Sequence, residues 1–147
     1  VIDESVDIMR WALAGHPDGC VLQTPESQAW LARNDGPFKR LLDQYKYPQR
    51  FGVEQRDVPR DEAVAGMLRD MNAQLLRRGY MAGDQPSALD LALFPFVRQF
   101  AAVDTAWFSS LDMPSLQSWL AHWLDSALFQ AAMVKWSGPA PALFPCG

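Results

Sequence analysis

The stretch Ser87–Val103, SALDLALFPFVRQFAAV, decides the fold. Between Asp90 and Asp104 only Arg98 and Gln99 are strongly polar. A helix that is apolar on nearly every side is buried in the middle of a domain. Ser87 is a good N-cap. Asp90, three residues on, can reach back to the Ser87 amide as the acid of a capping box. Its charge also suits a helix N-terminus. Pro95 cannot donate to the Leu91 carbonyl, which predicts a kink there. The stretch is a folding core and carries no catalytic group.

Working outward, the other segments also read as helices. Val6, Met9 and Leu13 give Val1–Ala14 one apolar face. Gly15–Thr24 is a linker with His-Pro and Asp-Gly turn signals. Thr24-Pro25-Glu26 is a strong helix start. Asn34-Asp35-Gly36-Pro37 then predicts either two helices or a sharp bend. Phe38–Tyr47 follows as a helix, and Pro48–Arg56 reads as a loop. Asp57-Val58-Pro59 opens a helix with the stripe Ala63, Met67, Leu68, Met71, Leu75, and Gly79 stops it. Asp104–Ser110 reads as aromatic and irregular. Met113–Leu124 and Ser126–Lys135 read as helices, and Gly138–Gly147, with its three prolines, as an irregular tail. No segment shows sustained period-2 alternation. The predicted fold is an all-α bundle around the 87–103 helix.

The 147 residues and 49% apolar content allow one real core. A net charge of −4 without a Lys/Arg cluster argues against nucleic acid. No apolar run reaches the ~20 residues of a membrane span. Asp3, Glu4 and Asp7 argue against a signal peptide, so a cytoplasmic location is expected. One disulfide could join Cys20 to Cys146, although free thiols in a reducing compartment fit better. Neither thiol has a sequence neighbour that would activate it. His16 and His122 lack metal-ligand spacing, and no metal site is expected. Arg98 is expected to pair with an acid or a carbonyl. The six Trp residues read mostly as core.

The run YMAGDQP followed by SALDLALFPFVRQFAAVD resembles the C-terminal helical domain of glutathione S-transferases. There a Ser/Thr-x-x-Asp box starts the buried central helix, and here Ser87 and Asp90 match it. MPSLQSWLAHWLDSALFQAAM and NDGPFKRLLDQYKYP are similar to further segments of the family. The resemblance implies the following organisation. Residues 1–14 are the last helix of a thioredoxin-like domain, 15–24 a linker, 25–137 the helical domain and 138–147 a tail. It implies a preceding thioredoxin-like domain, missing from this sequence, that holds most glutathione contacts and the catalytic Ser, Tyr or Cys. Glu4 and Ser5 match the pair that binds the γ-glutamyl end of glutathione. The helix carrying Asn34, Lys39, Asp43, Tyr45 and Lys46 faces the cleft of the hydrophobic co-substrate in that family, which makes Asn34, Lys39 and Tyr45 the pocket candidates. For these five, an ordinary solvated face with an i,i+4 Lys39–Asp43 pair is the plainer alternative.

The expected role is therefore the helical half of a glutathione S-transferase-like protein. Glutathione is expected as substrate and a thioredoxin-like domain as partner in cis or trans; the resemblance allows a homodimer and leaves the oligomeric state open. No catalytic residue is expected within the chain, and no conjugation by it alone. The competing expectation is a stand-alone helical protein–protein interaction module without catalysis.

Overall fold

The computed structural model describes residues 20–127. The segments 1–19 and 128–147, and with them the expectations for Glu4, Ser5, His16, Cys146, the first helix, the last helix and the tail, lie outside the described residues. Seven α-helices follow in order: α1 Pro25–Arg33, α2 Lys39–Lys46, α3 Asp57–Ala63, α4 Arg69–Arg78, α5 Ala88–Val103, α6 Thr105–Ser110 and α7 Pro114–Leu124. Among the described residues there is no strand. No described helix is long and apolar enough to cross a membrane.

α5 is the axis. Leu89, Leu93 and Val97 are fully buried, and Ala88, Ala92, Phe94, Phe100 and Ala101 nearly so. Around it stand α1 and α2 on one side, and α6 and α7 on another, while α3 packs on α2 and α4 on α7. Phe100 alone meets the rings of Phe38, Tyr45, Trp107 and Phe108. The helix runs through Pro95 without interruption, and the ring itself is exposed.

The entry to α5 is built on one carboxylate. Ser87 and Asp90 form the capping box. Asp90 Oδ2 accepts from the Ser87 amide at 3.1 Å and from the Ser87 hydroxyl at 2.7 Å. Its Oδ1 accepts the Met81 amide at 2.9 Å and the Trp119 indole N–H at 2.8 Å. Asp90 is fully buried. Four donors thus stand in for the water that a buried carboxylate loses. They bind the 79–87 connection, α5 and α7 together.

Other polar ties repeat this logic. Buried Gln74 donates to the Met81 carbonyl at 2.8 Å and to Glu26 at 2.9 Å, while Arg78 pairs with Glu26 at 3.0 Å. Asn72 of α4 accepts the Leu116 amide at 3.0 Å, one of the N–H groups a helix start leaves without a partner. Gly79, at φ +92°, ends α4 in backbone that a side chain would strain.

Two expectations are corrected. Residues 25–46 form one continuous rod rather than two helices. The break signal Asn34–Phe38 is accommodated as a π-turn, with the Lys39 amide reaching back to the Asn34 carbonyl. Pro37 has no N–H, and its ring would crowd the carbonyl four residues back; widening one turn removes both conflicts without ending the helix. Residues 104–110 are also not irregular. Asp104 caps α6 by accepting the Trp107 amide at 3.0 Å, and Gln117 of α7 donates to the Phe108 and Leu111 carbonyls at the α6 end. In addition, Pro48–Phe51 makes a short 3-10 turn inside the expected 48–56 loop.

Replacing Asp90 by Ala leaves several buried donors unpaired. Urea denaturation is expected to show a loss of about 3 kcal/mol or more, and Trp119→Phe, which removes one donor, a loss of about 1 kcal/mol. At Glu26 the hydrogen bond from Gln74, then that from Arg78, holds the carboxyl below its usual 4.5. A lowered folded pKa gives stability that is present above the unfolded value and lost as pH falls through the folded one. The Glu26 carboxylate is 45% exposed, so the effect is small. Acid titration of the Glu26→Gln variant is expected to show a slightly shallower loss of stability below pH 4.5.

Candidate functional site

The helix chosen by sequence divides into two faces. Asn34 and Tyr45 lie on the inner one, with relative exposures of 0% and 1%. They continue the buried row Ser27, Leu31, Phe38 and Leu42 along the rod. Lys39, Asp43 and Lys46, at i, i+4 and i+7, share the other face and are half-buried. The structure therefore does not bring the three pocket candidates onto one surface. Among the described ion pairs, none joins Lys39 to Asp43.

Lys46 closes a seam between α2 and α5 by donating to Gln99 at 2.8 Å. Leu91, Pro95 and Gln99 form one i,i+4 row along α5 that leads to this contact. Pro95 is exposed, and Leu91 and Gln99 are half-buried. The row is apolar at Leu91 and Pro95 and polar at Gln99.

Beneath that seam, Tyr45 packs on Phe100 at 5.2 Å and Trp107 at 6.4 Å between ring centroids. The Arg56 guanidinium lies 5.0 Å from the Tyr45 centroid and that of Arg60 4.1 Å from Trp107. Burial pushes the Tyr45 phenol up, and the Arg56 charge opposes the shift. Arg56 lies near enough to the Tyr45 hydroxyl to draw the phenol back down, yet by strict geometry the Tyr45 Oη, like the Asn34 Oδ1, is buried without a hydrogen-bond partner among the described residues. Both are neutral donors or acceptors, and neither has the adjacent base that would make it a nucleophile.

A second π-turn, Val64–Leu68, faces the first. Arg33 spans the two: its guanidinium donates to the Gly66 carbonyl, pairs with Asp70 at 2.7 Å and lies 4.6 Å from the centroid of Trp30. A small cavity of about 60 Å³ remains between the turns, lined by Pro37, Phe38, Ala63 and Met67 among others. No sequence signal pointed to this pairing, because it joins positions 33 residues apart. Larger grooves lie elsewhere. One of about 290 Å³ runs between α5, α6 and α7, with Arg98 at its edge. Another, of about 490 Å³, lies between the α4 end and α7 and includes His122. Cys20 is exposed at the start of the described chain.

A family model, glutathione S-transferase C-terminal domain, matches residues 28–122. The chain belongs to that family. The match spans α1 to α7 apart from the outermost residues, so the helices around α5 are the glutathione S-transferase C-terminal fold. Searches of curated proteins and of solved structures returned no match.

Because the Tyr45 hydroxyl has no partner to lose, Tyr45→Phe is expected to leave stability unchanged or to raise it by up to about 1 kcal/mol. Urea denaturation of the two proteins checks this. A loss above about 1 kcal/mol would show that the hydroxyl is satisfied in solution.

Proposed function

We propose that these residues form the helical half of a glutathione S-transferase-like protein, and that this half shapes the hydrophobic co-substrate pocket for glutathione conjugation. The observation that carries the reading is the family match across 28–122. The α2–α5 contact supports it: Lys46, on the half-buried charged face of α2, donates to Gln99 of α5, whose row continues through exposed Pro95 and half-buried Leu91. Such a surface suits a small apolar molecule held beside a polar reacting centre.

In the complete reaction the glutathione thiolate attacks the electrophilic carbon. The new C–S bond uses the sulfur lone pair, and the leaving group departs with its bonding electrons, or an activated double bond takes them up. The thioredoxin-like domain, in cis or trans, stabilises the thiolate. Glu4 and Ser5 are assigned the γ-glutamyl end, the acid meeting the ammonium and the hydroxyl and helix-start amides meeting the carboxylate. Of the pocket candidates, Lys39 meets the co-substrate directly, and Asn34 and Tyr45 set the floor beneath it. The protein works in the cytoplasm as a homodimer.

The alternative is a helical interaction module that acts without catalysis. The continuous apolar core that the described residues share, from Leu22 to Trp123, supports it.

With a generic electrophile and glutathione, the 147-residue chain is expected to give no turnover above buffer. Its fusion to a thioredoxin-like domain of this family is expected to conjugate, with Lys39→Ala raising the electrophile KM several-fold while leaving the glutathione KM unchanged. Glutathione-dependent turnover by the chain alone would overturn the division of labour. A fusion that folds but neither binds glutathione nor turns over would favour the interaction module.

A further inference from the structure

Residues 25–46 and 57–78 are two long rods, and each carries one π-turn part-way along. Cross-ties fix their alignment. Glu26, near the start of the first rod, pairs with Arg78 at the end of the second, and Arg33 pairs with Asp70. The rods are therefore antiparallel, and on that alignment Asn34–Phe38 stands level with Val64–Leu68. The cavity of about 60 Å³ takes Pro37 and Phe38 from one turn and Gly66 and Met67 from the other. Two widened turns at one level divide the hairpin into an inner half, α1 with α4, and an outer half, α2 with α3.

The halves are held differently. Directional bonds fix the inner half: Gln74 donates to the Met81 carbonyl and to Glu26, and Asn72 accepts the Leu116 amide. The outer half rests on α5 and α6 through rings, Tyr45 on Phe100 and Trp107, and Arg60 over Trp107. One side-chain hydrogen bond among those described, Lys46 to Gln99, joins it to α5. Apolar contact is non-directional, so it resists a change of angle less than hydrogen bonds do.

Each π-turn also holds a glycine that neither backbone nor crowding demands. Gly36 and Gly66 are not among the glycines of positive φ, and a Cβ at either would meet nothing within 4 Å. Glycine within a helix leaves it less firmly ordered than alanine does. Both rods are thus loosest at the same level. Arg33 crosses that level from the last turn of α1, holding the Gly66 carbonyl of the opposite turn and the Asp70 carboxylate beyond it.

We infer that the paired π-turns are a joint on which the outer half of the hairpin changes its angle to the inner half, with Arg33 as the latch that holds one stance. The inference deepens the proposed pocket, and rests on that reading for its use: Lys39 rides on the outer half, so the stance sets how far the Lys39 face stands from the rest of the wall. A small apolar molecule that fits one stance better then selects it. Arg33 is a positioning residue, acting on the pocket through α2.

Spin-label distance measurements on the 147-residue chain, carrying Cys20→Ser and Cys146→Ser, test both points. One label pair, at Gln49→Cys and Ala121→Cys, spans the joint. A second, at Leu76→Cys and Ala121→Cys, lies on α4 and α7 alone. All three positions are exposed. Arg33→Met is expected to raise the population of a second distance in the first pair about 10-fold, as the loss of one hydrogen bond of good strength does, and to leave the second pair unchanged. Adding Gly36→Ala and Gly66→Ala is expected to suppress that second distance. An Arg33→Met variant that matches the parent, that broadens both pairs alike, or that keeps its second distance with the alanines in place would overturn the joint. Anilinonaphthalene sulfonate, an apolar anionic probe, is then expected to shift the first pair in the parent and to do so less in Lys39→Ala. If the Arg33 and glycine variants behave as expected and the probe moves nothing, the joint stands and its link to the pocket is overturned.

Discussion

The structure hangs on a buried carboxylate that has no cation beside it among the described ion pairs. An ionised Asp stripped of water is costly unless donors replace the solvent, and Asp90 has four. Two are local, from Ser87, and fix where α5 begins. The other two come from Met81 and Trp119, and fix what α5 begins against. The same group therefore sets a helix boundary and a tertiary arrangement at once. Around it the remaining polar ties bind α4 to α7, α6 to α7 and α4 to α1. The apolar surface of α5 supplies most of the drive to collapse, but it is non-directional. Direction comes from these hydrogen bonds.

Much of this was legible in the sequence wherever the signal was local. Ser87 and Asp90 are three residues apart, Thr24-Pro25 and Asp57-Val58-Pro59 announce starts, and Gly79 announces a stop. The all-apolar 87–103 run predicted a central helix, which the structure places at the axis. The failures have a common cause. Asn34-Gly36-Pro37 carries the residues of a helix end, yet burial of Leu31, Phe38 and Leu42 on both sides outweighs the local preference, and a π-turn absorbs the conflict. Asp104 before a short aromatic stretch is an N-cap signal that Trp107 and Phe108 obscured. The Trp119 bond to Asp90 spans 29 residues and left no trace in any local pattern.

The candidate site was less legible than the fold. The family resemblance made Asn34, Lys39 and Tyr45 pocket candidates, but a π-turn lies between Asn34 and Lys39, and the interior takes Asn34 and Tyr45. Lys39, with Asp43 and Lys46, holds the accessible face. Family membership accounts for the helical architecture. Under the proposed function the thiolate chemistry belongs to a second domain, and residues 20–127 are read as one wall of the pocket.

Native-state hydrogen exchange of the Met81 and Ser87 amides tests the role of Asp90 most directly. Both are donors to its carboxylate. If that carboxylate ties the connection, α5 and α7 into one unit, both amides exchange only with global unfolding, at the same free energy as the slowest amides of α5. Exchange of either amide through a local opening, at a clearly lower free energy than the centre of α5, would contradict it.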